Sequence, residues 1–325
     1  MKPVRFVLDS GDMNPGSVPL SDAFSPVLAR MQIAFDREET VAYSDDFEPT
    51  LGSLWSATDR NFLEDLTVAF ASVGSTGGPL VRWDAEELPD ADEVHVDGGP
   101  ETNLDVAWVH QKNRSGHAVA LLGMQRSGSK KVTSAGTEQE LHWVATDAQH
   151  RDFFRAAFDV EGDGEATFAT LAPHAFPDLF FLPGVFTELK NFEGGYQRAR
   201  VSLRKDLATF NDGANTAFAP GWTNQSLQNA YTLNLAPETA ETAKDRTCRT
   251  ARERILDGMT LYCEWHIKLE RHINRVHVHP PVPASCNRPV VAIFHAHLPL
   301  LRARPALVGG CRPRSERPAR DRPTF

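Results

Sequence analysis

Met259–Glu270, MTLYCEWHIKLE, alternates apolar and polar residues along its whole length. In a β-strand successive side chains point to opposite faces. One face therefore carries Leu261, Cys263, Trp265, Ile267 and Leu269, and the other Tyr262, Glu264, His266, Lys268 and Glu270. That is the pattern of a strand with a buried apolar side and an outer polar side. Just upstream, ARERIL and the dipeptide Asp257–Gly258 predict a hairpin partner and its tight turn. Downstream, NRVHVHP and RPVVAIFHAHL read as two further strands, completing an antiparallel sheet over residues 250–298.

Six of the twelve histidines fall between His266 and His297. On NRVHVHP, Val276 and Val278 face one way, and Arg275, His277 and His279 the other. If this strand neighbours the first, Glu264, His266, Lys268, Arg275 and His277 share one polar surface, because cross-strand partners sit about 5 Å apart. Imidazoles exchange protons near neutral pH, and lysine and arginine stabilise charge building on a phosphorus centre. The set suits phosphodiester cleavage without a metal. Glu264 would orient, His266 and His277 would exchange protons, and Lys268 and Arg275 would hold the phosphate. An RNA substrate would supply its own 2′-hydroxyl nucleophile. Two plainer readings compete. One is an ordinary solvated sheet face. The other is zinc held through His277 and His279 or through His295 and His297, spacings a metal accepts, with no companion cysteine or carboxylate at a persuasive distance. No cofactor and no metal are expected.

Outward from this stretch the chain divides by composition. Residues 1–147 read as a mixed α/β region. It opens with the strand PVRFVL, followed by a helix near Ser21–Phe35 and another over Asp59–Val73. A β-rich run follows, LVRW, EVHV, LDVAWV, HAVALLGM and ELHWVAT, with the acidic stretch Asp84–Asp92 and RSGSKK at Arg126–Lys131 as loops. Residues 148–235 carry helix-period apolar residues, and 236–250 is polar and linker-like. The predicted class is α+β: an N-terminal α/β region, a helical middle and a C-terminal antiparallel β-sheet. Residues 299–325 are rich in Arg, Pro and Ala without hydrophobic period. They read either as a disordered basic tail or as out-of-frame translation of a GC-rich gene.

Charge and motifs exclude several classes. The net charge is −9, and the seven arginines after residue 298, set against Glu316 and Asp321, leave −14 on residues 1–298. Such a body repels phosphate over most of its surface, so any nucleic-acid contact is local. RSGSKK lacks P-loop spacing, and neither a GxSxG elbow nor an HExxH helix is present. DVEGDGEATF imitates a calcium loop, but counting from Asp159 the twelfth position is Thr170, where a bidentate glutamate is needed. The four cysteines have no CxxC spacing. There is no long apolar run and no export-type N-terminus, which predicts no membrane contact, a cytoplasmic location and free thiols.

The strings CEWHIKLERHINRVHVHPP, from Cys263, and VVAIFHAHLP, from Val290, resemble a C-terminal pattern, CEWHxKL…NRIHF…IGIFxxHLP. That pattern belongs to prokaryotic proteins encoded among restriction–modification and other mobile defence genes. HAFPDLFFLPG and ATFNDG match its preceding helical part, so the resemblance covers roughly residues 148–299. The family carries no assigned activity. The last three strands are also similar to the sheet of the RelE/HigB toxin superfamily, whose members are small ribonucleases. That likeness implies His266, Lys268, Arg275 and His277 as working residues. Past Pro299 the chain departs from the family pattern, which stops there. The expected function is a defence- or toxin-associated protein acting on nucleic acid, RNA rather than DNA, with cleavage by the C-terminal sheet. The alternative is a non-catalytic module binding nucleic acid or a protein partner within a defence system.

Overall fold

Val4–Leu8 (β1) carries four buried residues in a row, the mark of a strand covered on both faces. It is the axis of the N-terminal sheet in a computed structural model that describes residues 3–53, 61, 64, 80–83, 88 and 93–299, apart from 15, 215, 271 and 272. Around it lie Thr40–Ser44 (β2), Leu80–Trp83 (β3), Val94–Val96 (β4), Gly99–Glu101 (β5), Ala120–Leu122 (β6), Gly128–Ser134 (β7) and Thr137–Trp143 (β8). Among the described residues their order is β3-β2-β1-β6-β8-β7-β4-β5. The first five run parallel, and β7, β4 and β5 add an antiparallel edge.

Alternation along the strands sends Phe6, Leu8, Ala120 and Leu122 to one face, which joins the large core. Leu20–Asp36 (α1) and Asp147–Val160 (α4) pack there through Phe24, Val27, Met31, Phe153, Phe154 and Phe158. Val7, Leu121, Leu141 and Trp143 face the other side, beneath Leu104–Arg114 (α3). Phe47–Ser53 (α2) follows β2. Two expectations are corrected here. LDVAWV is not a strand but the start of α3. Asn103 caps it by accepting from the Asp105 amide, and its buried positions Val106, Val109 and His110 follow helical spacing. RSGSKK is not wholly a loop, since β7 begins at Gly128. The helix expected over Asp59–Val73 and the acidic segment Asp84–Asp92 lie almost wholly outside the described residues, as does the tail from residue 300.

Residues 148–235 are mainly helical, as their period implies: α4, Glu165–Ala175 (α5), Gly195–Asp212 (α6) and Asn224–Tyr231 (α7). The acidic turn between α4 and α5 is tied down by side-chain pairs. Asp163 accepts from Tyr196 and pairs with Arg200 and Arg204. The second sheet contains Phe180–Phe181 (β9), Leu235–Pro237 (β10), Trp265–Lys268 (β13), Arg275–His279 (β14) and Val290–His295 (β15), in the order β10-β13-β14-β15-β9. Its pairings are antiparallel except β15–β9. The fold is α+β. No helix among the described residues is long and apolar enough to cross a membrane.

The long strand read over Met259–Glu270 divides in two. Met259–Tyr262 (β12) pairs with Glu253–Leu256 (β11) around Asp257 and Gly258, both at positive φ as a primed hairpin turn requires. The chain breaks at Cys263–Glu264, and β13 joins the second sheet. The linker-like segment is ordered, as β10, Ala240–Lys244 (α8) and Arg246–Thr250 (α9).

A buried hydrogen-bonded cluster joins the N-terminal sheet to the helical middle. Glu39, at the entrance to β2, meets His150 of α4 (3.1 Å) and His174 of α5 (2.6 Å). Burial holds the His150 pKa below its ordinary 6.5, although Glu39 pulls it the other way. The unfolded chain therefore binds this proton first, and the stability His150 contributes is present above pH 6.5 and lost as pH falls. Relative to His150→Gln, the wild-type urea midpoint is expected to fall between pH 7 and pH 5, the comparison cancelling the opposite contribution of other buried groups. An identical pH slope in that variant contradicts the assignment.

Candidate functional site

The backbone register sets His266 of β13 directly opposite His277 of β14, and Lys268 opposite Arg275. The imidazole centroids are 5.4 Å apart, and Arg275 Nη1 lies 3.1 Å from His266 Nε2. Four of the five residues singled out from sequence thus share one side of the sheet. Glu264 precedes β13, where its carbonyl accepts from the Glu238 amide (3.0 Å).

This side is not solvated. His266 is 3% exposed and His277 is fully buried. The cover comes from the supposed linker and the turn after it: Glu238 and Arg252 lie against the histidines, joined to each other by a 2.9 Å ion pair. Glu238 Oε1 is 3.4 Å from His266 Nδ1. Desolvation is the main reason the His266 pKa falls to about 3, with Arg275 and Lys268 adding to it. Burial also holds His277 well below the ordinary range. Both rings are neutral at neutral pH.

Several buried polar atoms here lack a hydrogen-bond partner: His266 Nδ1, His277 Nε2, Arg252 Nε, Arg275 Nε and Tyr262 Oη. Unsatisfied buried groups gathered in one place ask for an explanation. The histidine pairs considered for zinc are engaged locally. His279 Nδ1 lies 2.7 Å from the Pro280 carbonyl, and the His297 amide donates to His295 Nδ1 (3.0 Å).

A second polar centre sits at the carboxyl ends of β1 and β6. The chain leaves β1 towards β2 and β3 on one side and returns to β6 on the other. In open α/β sheets ligands bind at such a reversal of strand order. Asp9, directly after β1, is fully buried. Its carboxylate accepts from Trp143 Nε1 (2.6 Å), the Asp12 amide (3.1 Å) and Asn103 Nδ2. Asp105, in the first turn of α3, accepts from Trp83 Nε1 (3.0 Å) and from the amide and hydroxyl of Ser10. Asp12 Oδ2 accepts from the amides of Gln125 (3.0 Å) and Arg126 (2.8 Å), stitching the β1 loop to the β6 loop. Arg126 closes the set, 2.6 Å from Glu101 and 3.9 Å from Asp9.

Desolvation raises the Asp9 pKa to about 7, with Asp12 and Asp105 adding to it, against the Trp143 hydrogen bond and the Arg126 charge. Asp105 is raised as well, chiefly by burial. The raised Asp9 value costs folding stability as pH climbs from 3.8 towards about 7. Buried carboxyls tuned to neutral pH cluster at functional sites. A polar cleft of about 530 Å³ adjoins this centre through Asp12 and Arg126, and is also lined by Asn14, Gln125, Ser127 and Lys130.

None of these N-terminal residues stands out in the sequence. The signal was present in outline, an acid immediately after the apolar run Phe6–Leu8. Comparison with protein-family models, with curated proteins and with solved structures returned no match.

Two measurements check this geometry. In a carbon-13 carboxyl titration Asp9 is expected to change near pH 7, and Trp143→Phe to move it higher, since the lost indole hydrogen bond favours the ionised form. A transition near 3.8 in the folded protein contradicts it. A Cβ on Gly123 would run into the Asp12 carboxylate, so Gly123→Ala is expected to cost about 1–3 kcal/mol in urea denaturation. An unchanged midpoint counts against the close approach.

Proposed function

We propose that the protein acts on nucleic acid, binding a nucleotide unit in the cleft at the carboxyl ends of β1 and β6. The observation that carries this reading is Asp9, a fully buried carboxyl with a pKa of about 7, linked through the Asp12 amide and the Arg126 charge to a polar cleft at the reversal of strand order. A group that titrates at the working pH is suited to general acid–base chemistry. Arg126, paired with Glu101, and Lys130, paired with Asp97 (3.1 Å), are the cations on the cleft wall, and a phosphate binds there by taking them from those carboxylates. Asn14 and Gln125, on the same wall, have the amide donors and acceptors that pair with base edges. Asp12 and Asp9 are the acid–base pair. The acidic body keeps phosphate contact local, which favours a strand end or a single extruded nucleotide over a long duplex. The likeness of the C-terminal strings to proteins of restriction and defence genes supports a defence role, with RNA the preferred substrate.

A second reading keeps metal-free RNA cleavage in the C-terminal sheet. It is favoured by the pairing of His266 with His277 and by Arg275 and Lys268 on the same side. It requires the cover of Glu238 and Arg252 to lift, and it requires one of two neutral, desolvated imidazoles to become a proton donor.

One experiment separates the two. End-labelled RNA and DNA oligonucleotides are incubated with the protein and with Asp9→Asn, Arg126→Ala, His266→Ala and His277→Ala, while nucleotide binding is followed by calorimetry. Arg126→Ala is expected to weaken binding by roughly 10-fold, as loss of a charged hydrogen bond does, and Asp9→Asn to abolish turnover. Cleavage untouched by Asp9→Asn but lost in folded His277→Ala selects the second reading. Binding of neither nucleotides nor oligonucleotides overturns both.

A further inference from the structure

The structure assigns a divalent transition-metal site, of the kind zinc occupies, to Glu238, His266 and His277. Each offers a ligand atom, and these atoms lie within 4.8 Å of one another. Three separate segments bring them together. His266 and His277 are opposed across β13 and β14, and Glu238 follows β10, whose Ala236 pairs with His266. Two residues on from Ala236, with the ladder continued by the Glu238 amide to Glu264, the Glu238 side chain returns to the same face.

The rings are set for ligation to different degrees. His277 Nδ1 lies 3.3 Å from the Cys263 carbonyl, so it carries the proton and donates. Nε2 is left with a lone pair, buried and unpartnered. A carbonyl behind the non-ligating nitrogen is the usual support of a metal-bound histidine. His266 Nδ1 is also buried without a hydrogen-bond partner, on the side facing Glu238. Two imidazoles and one carboxylate form a ligand set that suits zinc, cobalt or nickel in preference to magnesium or calcium.

Arg275 opposes loading. Its Nη1 donates to His266 Nε2, which fixes the ion-free ring with its proton on Nδ1. Ligation through Nδ1 moves that proton to Nε2, where it faces the guanidinium donor. Arg275, which is half-buried, must swing aside. Arg252 likewise shares Glu238 Oε1 with the ion. The site is a metal centre in competition with two arginines, and its affinity is set by how readily Arg275 leaves. It stands independently of the cleft at β1 and β6.

The test uses the full chain purified without chelator. Metal content is measured by mass spectrometry, and the chelator-stripped protein is titrated with Co²⁺ and followed by visible absorption. Expected are one bound zinc per chain, a tetrahedral cobalt spectrum without a thiolate charge-transfer band, and loss of both in Glu238→Gln and His277→Ala. Arg275→Gln, whose amide oxygen accepts from Nε2–H, is expected to bind roughly 10-fold more tightly, the scale of outer-sphere effects on metal sites. The Glu238→Gln and Arg275→Gln variants keep the inference testable where His277→Ala fails to fold. Sub-stoichiometric metal with no cobalt spectrum in the wild-type chain overturns the assignment. So does a thiolate band, or Arg275→Gln binding no tighter than wild type.

Discussion

The Asp9 carboxylate is the fixed point of the N-terminal half. It leaves the end of β1 and takes hydrogen bonds from β8 through Trp143, from the cap of α3 through Asn103 and from its own loop through the Asp12 amide. Two parallel strands and a helix on the far face of the sheet are therefore registered against one buried acid. Removing such a group leaves an indole N–H and a side-chain amide without acceptors in a dry interior, each a penalty of about 1–3 kcal/mol. Keeping it leaves a carboxyl that resists ionisation until near neutral pH.

The two halves handle buried polarity differently. At the N-terminal centre nearly every oxygen of Asp9, Asp12 and Asp105 has a donor, and the carboxyls differ in what surrounds them rather than in whether they are paired. In the C-terminal sheet the groups are close but incompletely paired: two neutral imidazoles, two arginines and one carboxylate, with several nitrogens unsatisfied. A half-satisfied polar network in low dielectric is costly. An ion that takes up the free lone pairs, or a ligand that meets the free donors, removes that cost.

Legibility in the sequence followed local chemistry. β1, β3, β13, β14 and β15 and the helices of 148–235 were visible because their hydrophobic periods are unbroken. The Asp257–Gly258 turn was visible because few other dipeptides accept that backbone. LDVAWV misled because Leu104, Val106 and Trp108 alternate as in a strand, while the deciding signal, the Asn103 cap, is a single residue. The side-by-side placement of His266, Lys268, Arg275 and His277 could be inferred from period two alone. Their burial could not, because the cover, Glu238 and Arg252, comes from a segment without pattern. Asp9, Asp12, Asp105 and Arg126 are scattered over more than a hundred residues, and only the strand order collects them.

The central claim is that the working site lies at the reversal between β1 and β6. A crystal structure of the chain soaked with a nucleoside monophosphate tests it most directly. The account requires the phosphate against Arg126 and Lys130 and the base against Asn14 and Gln125. Density confined to the C-terminal sheet, or none in the cleft at saturating ligand, would contradict it.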